Sequence, residues 1–244
     1  MTRLAWQRGG AFGGLPVVLV HSWGRDGPGD WEATGWAVAL RRPGFAAYVP
    51  DLPGHGESAD RPVPAGSEPA GWTAATVLDD LDELQVDAFH AVGYAEGCVT
   101  AAHLAVRDPD RVRRLVLIGC DDHARMPFAD EVSAALRDRA ARVWHTETAD
   151  AVALVRGDRR HDRRALADWA ERAAWPAATR LGALRTPVLL AVGADDDRRD
   201  GAPRLAQLFH DGRLVTVPGG HRGMLAAPEL RDAVVSFLRE PRGA

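Results

Sequence analysis

The chain has 244 residues, 30 basic against 34 acidic, for a formal net charge of −4. That length suffices for one sizeable α/β domain whose core needs no disulfide or metal staple. The mild acidity excludes the electrostatic footprint of a DNA, RNA or anionic-lipid binder. All the basic residues are arginine, lysine and asparagine are absent, and Ile118 is the only isoleucine. Those three residue types use AT-rich codons, so a GC-rich bacterial genome explains the bias without a functional demand for arginine.

The N-terminal "MTRLAWQRGG" lacks the apolar core of a secretion signal, and no window reaches membrane-span length. A soluble, cytoplasmic protein is expected. "GGAFGG" (9–14) runs into a strand instead of joining strand to helix, so it is not a phosphate-binding loop. Val- and Leu-rich runs follow at 15–21, 45–50, 88–93, 113–119, 187–193 and 213–218. They do not alternate polar with apolar, which predicts strands covered on both faces. "RPVPAGSEPAG" (61–71) reads as a Pro/Gly loop. In 73–85, Val77, Leu78, Leu81 and Leu84 share one helical face, with Asp79, Asp80, Asp82 and Glu83 facing out. The last helix opens with Pro228 and repeats Leu230, Val234, Phe237 and Leu238. Cys98 and Cys120 sit in apolar company and are expected to be buried thiols, not a disulfide or metal pair.

Strand–helix alternation of this kind predicts an α/β fold, a mostly parallel, doubly wound sheet flanked by helices, as one domain over 1–244. Ligands of such sheets bind beyond the carboxyl ends of the strands. The alternation is interrupted at 121–185, an Ala/Arg/Asp-rich stretch with helical spacing and no strand candidate. We read it as a helical lid inserted before the strand at 187–193.

Four strand-end loops carry chemistry-bearing residues: "HSWG" (21–24), "GYAEG" (93–97), "GADDD" (193–197) and "GGHRG" (219–223). With "DLPGHGES" (51–58) after the second central strand, the chain resembles the α/β-hydrolase fold superfamily over nearly its whole length. In that family a strand runs straight into a helix through G-x-nucleophile-x-G. The elbow glycines, here Gly93 and Gly97, leave no room for a Cβ, and the central residue is thrust into the cleft. The resemblance implies that Ala95 holds the nucleophile position, His221 is the base, and Asp196 is the acid that orients it. Asp195 is an alternative acid, as are Asp121 and Asp122, because some members place the acid after the preceding strand. The implied oxyanion donors are the backbone N–H groups of Glu96, at a helix N-terminus, and of Trp23. Ser22 stands where members often carry glycine.

Ser22, Tyr94, Trp144, Trp169 and Trp175 are the candidates for lining a substrate pocket, although lid tryptophans serve equally as core filler. His55 reads as a turn residue. His123, His145 and His161 lack metal-ligand spacing, so no metal site is expected. The chemistry implies a small-molecule substrate and no cofactor. Oligomeric state is not legible.

A methyl group at position 95 cannot attack an acyl carbon, so the chain is predicted to be nearly inactive toward ordinary esters. Three explanations compete. The favoured one is a Ser→Ala replacement in a hydrolase of a small ester, lactone or thioester, because every other part is in place. The second is a natural non-hydrolytic member, a lyase, isomerase or cyclase, using His221 with Asp196 as general base. The third is a small-ligand receptor without catalysis. Cys98 and Ser22 are poor substitutes for the missing nucleophile.

Overall fold

The apolar runs pair side by side because most of them have no polar face to give to water; the last, at the sheet edge, exposes Arg213, Leu214 and Thr216. In the computed structural model, which describes residues 3–61, 63–123 and 126–241, seven strands form one sheet. They are β1 (Trp6–Gly10), β2 (Leu15–Val20), β3 (Phe45–Pro50), β4 (Phe89–Tyr94), β5 (Val112–Ile118), β6 (Val188–Gly193) and β7 (Gly212–Val217). The last six match the predicted runs to within one residue. The spatial order is β1-β3-β2-β4-β5-β6-β7. Only β1 is antiparallel to its neighbour; every other pair is parallel. The order reverses at β2, which has β3 on one side and β4 on the other. The crevice beyond the carboxyl ends of β2 and β4 is therefore where a ligand is expected.

β1 was not anticipated. It is an edge strand of half-buried residues with two glycines at its end, so it has no apolar run to announce it. Its entry is secured from a distance by Asp80, which accepts the Leu4 N–H at 2.8 Å and the Trp6 indole N–H at 2.7 Å. Asp80 is consequently buried, which corrects its assignment to the solvent face of the 73–85 helix. Helical period alone places it beside Asp79, but two donors on another segment draw it inward.

Helices cover both faces. α1 (Trp36–Arg41) and α9 (Pro228–Arg239) pack on one side with Trp36, Leu40, Leu230, Val234 and Phe237. On the other lie α2 (Pro69–Glu83), α3 (Gly97–Arg107) and α8 (Ala202–Ala206), with Val77, Leu81, Ala101, Leu104 and Leu205. α2 begins four residues before the predicted start. Pro69 is pre-organised for the first turn and the Glu68 carboxylate accepts the Ala70 and Gly71 N–H groups. The loop assigned to 61–71 therefore ends at Glu68.

Between β5 and β6 the described residues hold α4 (Ala129–Arg137), α5 (Thr146–Gly157), α6 (Arg163–Arg172) and α7 (Ala178–Ala183). α4, α5 and α6 share a small core of Val132, Leu136, Val152, Val155, Leu166 and Trp169 that reaches Trp23 and Ala70 below. Cys98 and Cys120 are buried free thiols. Among the described residues no helix is long and apolar enough to cross a membrane.

Candidate active site

The chain leaves β4 at Tyr94 and enters α3 at Gly97, with only Ala95 and Glu96 between. So abrupt a reversal puts Ala95 at φ +50°. A residue with a Cβ adopts that left-handed backbone at a cost of roughly 1–2 kcal/mol. A Cβ on Gly93 would lie 2.7 Å from Cys98 Cα, and one on Gly97 would lie 2.4 Å from the His21 carbonyl oxygen. Neither position admits a side chain. Ala95 N–H donates to Ile118 O at 2.8 Å, tying the elbow to the end of β5. Ala95→Gly should relieve the strain, partly offset by the extra freedom of glycine in the unfolded chain. The expected net gain is about 0.5–1 kcal/mol in urea unfolding; a loss of stability would contradict a strained elbow.

His221 lies in the loop after β7, its ring stacked on Tyr94 with centroids 5.4 Å apart. The Tyr94 hydroxyl donates to the His221 carbonyl at 2.9 Å. His221 Nδ1 is 2.9 Å from Asp196 Oδ2, and the Asp196 side chain is fully buried. Asp196 Oδ1 accepts the Arg198 N–H at 3.0 Å. Burial pushes this carboxyl up, but the His221 contact, the Arg198 N–H and the charges of His221 and Arg198 outweigh it and hold it below the usual range. Asp196 is therefore an anion. It fixes the imidazole proton on Nδ1 and leaves Nε2 as the basic nitrogen.

Arg198 is a site residue that sequence reading missed. Its Nη1 approaches His221 Nδ1 at 3.2 Å. With Nδ1 protonated both are donors, so the guanidinium is held instead by Glu96 Oε1, 3.2 Å from Nη2. Both neighbours of Ala95 are thus linked to His221, Tyr94 directly and Glu96 through Arg198 and then Asp196. No local signal separates Arg198 from Arg199, whose guanidinium donates to the Ala194 carbonyl.

The loop after β2 is held from three sides. Trp23 packs its indole beneath α6, with Nε1–H donating to Leu166 O at 3.0 Å. Ser22 gives its N–H and hydroxyl to Asp30 Oδ2 at 2.8 and 2.7 Å. Gly24 N–H donates to His55 Nε2 at 3.1 Å. His55 belongs to a row of buried imidazoles, with ring centroids 5.0 Å from His21 and 5.6 Å from His161. Each accepts a backbone N–H: His21 from Leu52, His55 from Gly24 and His161 from Gly56. The row joins the loops after β2 and β3 to the segment before α6, a link between residues 105 apart that sequence does not announce. Among the described residues no group of His, Cys, Asp and Glu is suited to hold a metal ion.

Protonating such a row would remove acceptors from buried N–H groups and set like charges side by side. Burial lowers His55 and His161, and the neighbouring imidazoles lower them further, Asp158 opposing at His161. The unfolded chain therefore binds more protons below its own histidine range, near pH 6.5. Folding stability should be fully present above that value and fall as pH drops through it toward the depressed native values. Urea unfolding at pH 8, 6.5 and 5 checks this; a midpoint that holds or rises on acidification would contradict it.

The elbow, the end of β5 and α6 enclose a cleft of about 410 Å³ of empty space open to solvent. Its polar floor is made by Glu96, Asp121, His123 and Arg198 around Ala95, and its apolar side includes Trp169 and Trp175. Three residues proposed for the pocket lie elsewhere. Ser22 is committed to Asp30, and Tyr94 supports His221 without lining the cleft. Trp144 is 71% exposed, with the Arg142 guanidinium over its ring. Of the alternative acids, Asp195 is exposed, Asp121 takes His123 Nδ1 at 2.6 Å, and Asp122 takes Arg204. Only Asp196 reaches His221 in this way.

A parallel sheet with a strand–elbow–helix at its centre and a histidine–aspartate pair at its carboxyl edge defines the hydrolase class of α/β folds. The sequence profile of the alpha/beta hydrolase fold family matches residues 16–161, more than half of the chain, and the chain belongs to this family. It is 36% identical over 118 residues to a pimeloyl-[acyl-carrier protein] methyl ester esterase of Vibrio campbellii, covering 48% of this chain and 41% of that protein. It is also 36% identical over 110 residues to a 2-hydroxymuconate semialdehyde hydrolase of a Pseudomonas species, covering 43% and 36%. These matches span less than half the length of the relatives. A crystal structure of a hydrolase from Pseudomonas aeruginosa superposes over 97% of this chain and 94% of that one, with TM-score 0.76 and 25% identity.

Proposed function

We propose that the cleft is an acyl-hydrolase site for a small-molecule ester, lactone or thioester, in a chain that carries alanine where a serine nucleophile would stand. One observation carries this reading: Ala95 keeps the left-handed elbow, φ +50°, beside a His221–Asp196 pair 2.9 Å apart. A serine there would attack the acyl carbon while its proton passes to His221 Nε2. Asp196 would stabilise the imidazolium, and the N–H groups of Trp23 and Glu96 would receive the oxyanion. The imidazolium would then protonate the leaving oxygen or sulfur, and water would repeat the sequence on the acyl-enzyme. The inserted helices serve as a lid, and Trp169 of α6 with Trp175 just beyond it gives the cleft its apolar wall.

The missing nucleophile has no local substitute. The Cys98 thiol is fully buried, with Gly93 O and Ile118 O at 3.3 and 3.4 Å as alternative acceptors for its one proton; burial pushes it well above the ordinary thiol range, with Cys120 acting in the same direction. The Ser22 hydroxyl is spent on Asp30. A single Ser→Ala replacement in a working hydrolase accounts for a site otherwise consistent at every level. The chain as it stands is nearly inactive toward ordinary esters. Ala95→Ser assayed on a panel of chromogenic esters tests the reading.

A further inference from the structure

The cleft floor is charged, and its charges are unequal in number. The Arg198 side chain is 20% exposed and that of Glu96 14%, so both face the cleft from a largely desolvated position. Burial works against the Arg198 charge, but the carboxylates of Glu96, Asp196 and Asp121 more than compensate. One guanidinium therefore stands among three carboxylates. Asp196 is shared with His221 and Asp121 with His123, so the group has zero net charge with both imidazoles protonated and is negative otherwise. Among the described residues that line the cleft, no cation lacks a carboxylate partner.

We infer that this cleft selects substrates whose acyl portion carries no carboxylate, and that Glu96 sets the preference by occupying Arg198. The inference rests on reading the cleft as an ester-binding site. A neutral acyl chain can lie against Trp169 and Trp175 with its carbonyl over Ala95. A second carboxylate would have to face Glu96 and Asp121 at short range in a partly desolvated space, where like charges repel strongly. Among the described residues that line the cleft, the one guanidinium is already held at 3.2 Å by Glu96. Removing the Glu96 charge would make the balance around Arg198 one unit less negative and release its fork of donors, which is suited to a carboxylate. Glu96 is thus a specificity-determining residue whose side chain acts separately from its backbone N–H.

The test uses a matched pair of probes, dimethyl adipate and monomethyl adipate, which differ by one charge. Binding to the unmodified chain is measured by calorimetry or ligand-observed NMR near neutral pH. The diester is expected to bind tighter by about tenfold or more, the scale of one partly screened like-charge contact. Glu96→Gln is expected to narrow or reverse that ratio by a similar factor. Equal or tighter binding of the monoester to the unmodified chain overturns the inference, as does a ratio unmoved by Glu96→Gln in a variant whose circular dichroism matches the parent. Failure of both esters to bind overturns it as well. Because binding needs no nucleophile, these outcomes stand apart from the hydrolase reading, which fails separately if Ala95→Ser confers no turnover.

Discussion

Ala95→Ser is expected to raise kcat on a responsive chromogenic ester by a factor on the order of 10⁶, the cost of losing the serine from a comparable triad on another fold. The expectation is large because the substitution adds one oxygen to a site already shaped for it. The backbone at residue 95 is held left-handed by its own turn, with the Ala95 N–H on Ile118 O. His221 is stacked on Tyr94 and oriented by an ionised Asp196, so Nε2 is the free basic nitrogen before any substrate arrives. Stability should change little, since serine pays the same left-handed penalty as alanine. Turnover that stays at the level of the unmodified chain, in a folded variant, sinks the hydrolase reading. Ester turnover by the unmodified chain that persists after His221→Ala would show that the measured rate arises outside this site.

In the Ala95→Ser background, Asp196→Asn is expected to lower kcat by about 10⁴ with KM little changed. An amide at 196 can present its N–H to Nδ1, which moves the imidazole proton to Nε2 and leaves no base facing the serine. The loop itself has reason to survive, because the amide oxygen can still accept the Arg198 N–H that Asp196 Oδ1 accepts now. Asp195→Asn and Asp121→Asn provide the contrast. The first residue is exposed and the second is engaged by His123, so each should leave kcat within a small factor of the Ala95→Ser parent. A loss with Asp121→Asn as large as with Asp196→Asn would reassign the acid to the end of β5.

The parts of this site that were legible in the sequence are those encoded in short stretches of chain. Gly93 and Gly97 flank residue 95 because the two residues at the elbow must pass within contact distance of backbone. The apolar runs mark β2 to β6 because strands covered on both faces need no polar period, whereas β7, at the sheet edge, was expected to be covered on both faces and is largely exposed or half-buried. Among Asp195, Asp196 and Asp197 the resemblance to the family favoured Asp196 and kept Asp195 as the alternative, but composition and period do not say which one faces inward. Arg198 and Arg199 differ only in the direction the turn gives them. Trp144, Trp169 and Trp175 are equivalent as composition, yet one is exposed and two line the cleft.

The sequence by itself determined the class of fold, the order of the loops along its carboxyl edge and the identity of residue 95, because periodicity and glycine spacing are local properties. Only the tertiary structure decided that Asp196 meets His221, that Glu96 holds Arg198, that Asp80 turns inward to anchor β1, and that His161 docks on Gly56. Each of those contacts joins segments at least 25 residues apart. Their partners are chosen by packing and by the demand that buried donors and acceptors be satisfied, which no single stretch of sequence contains.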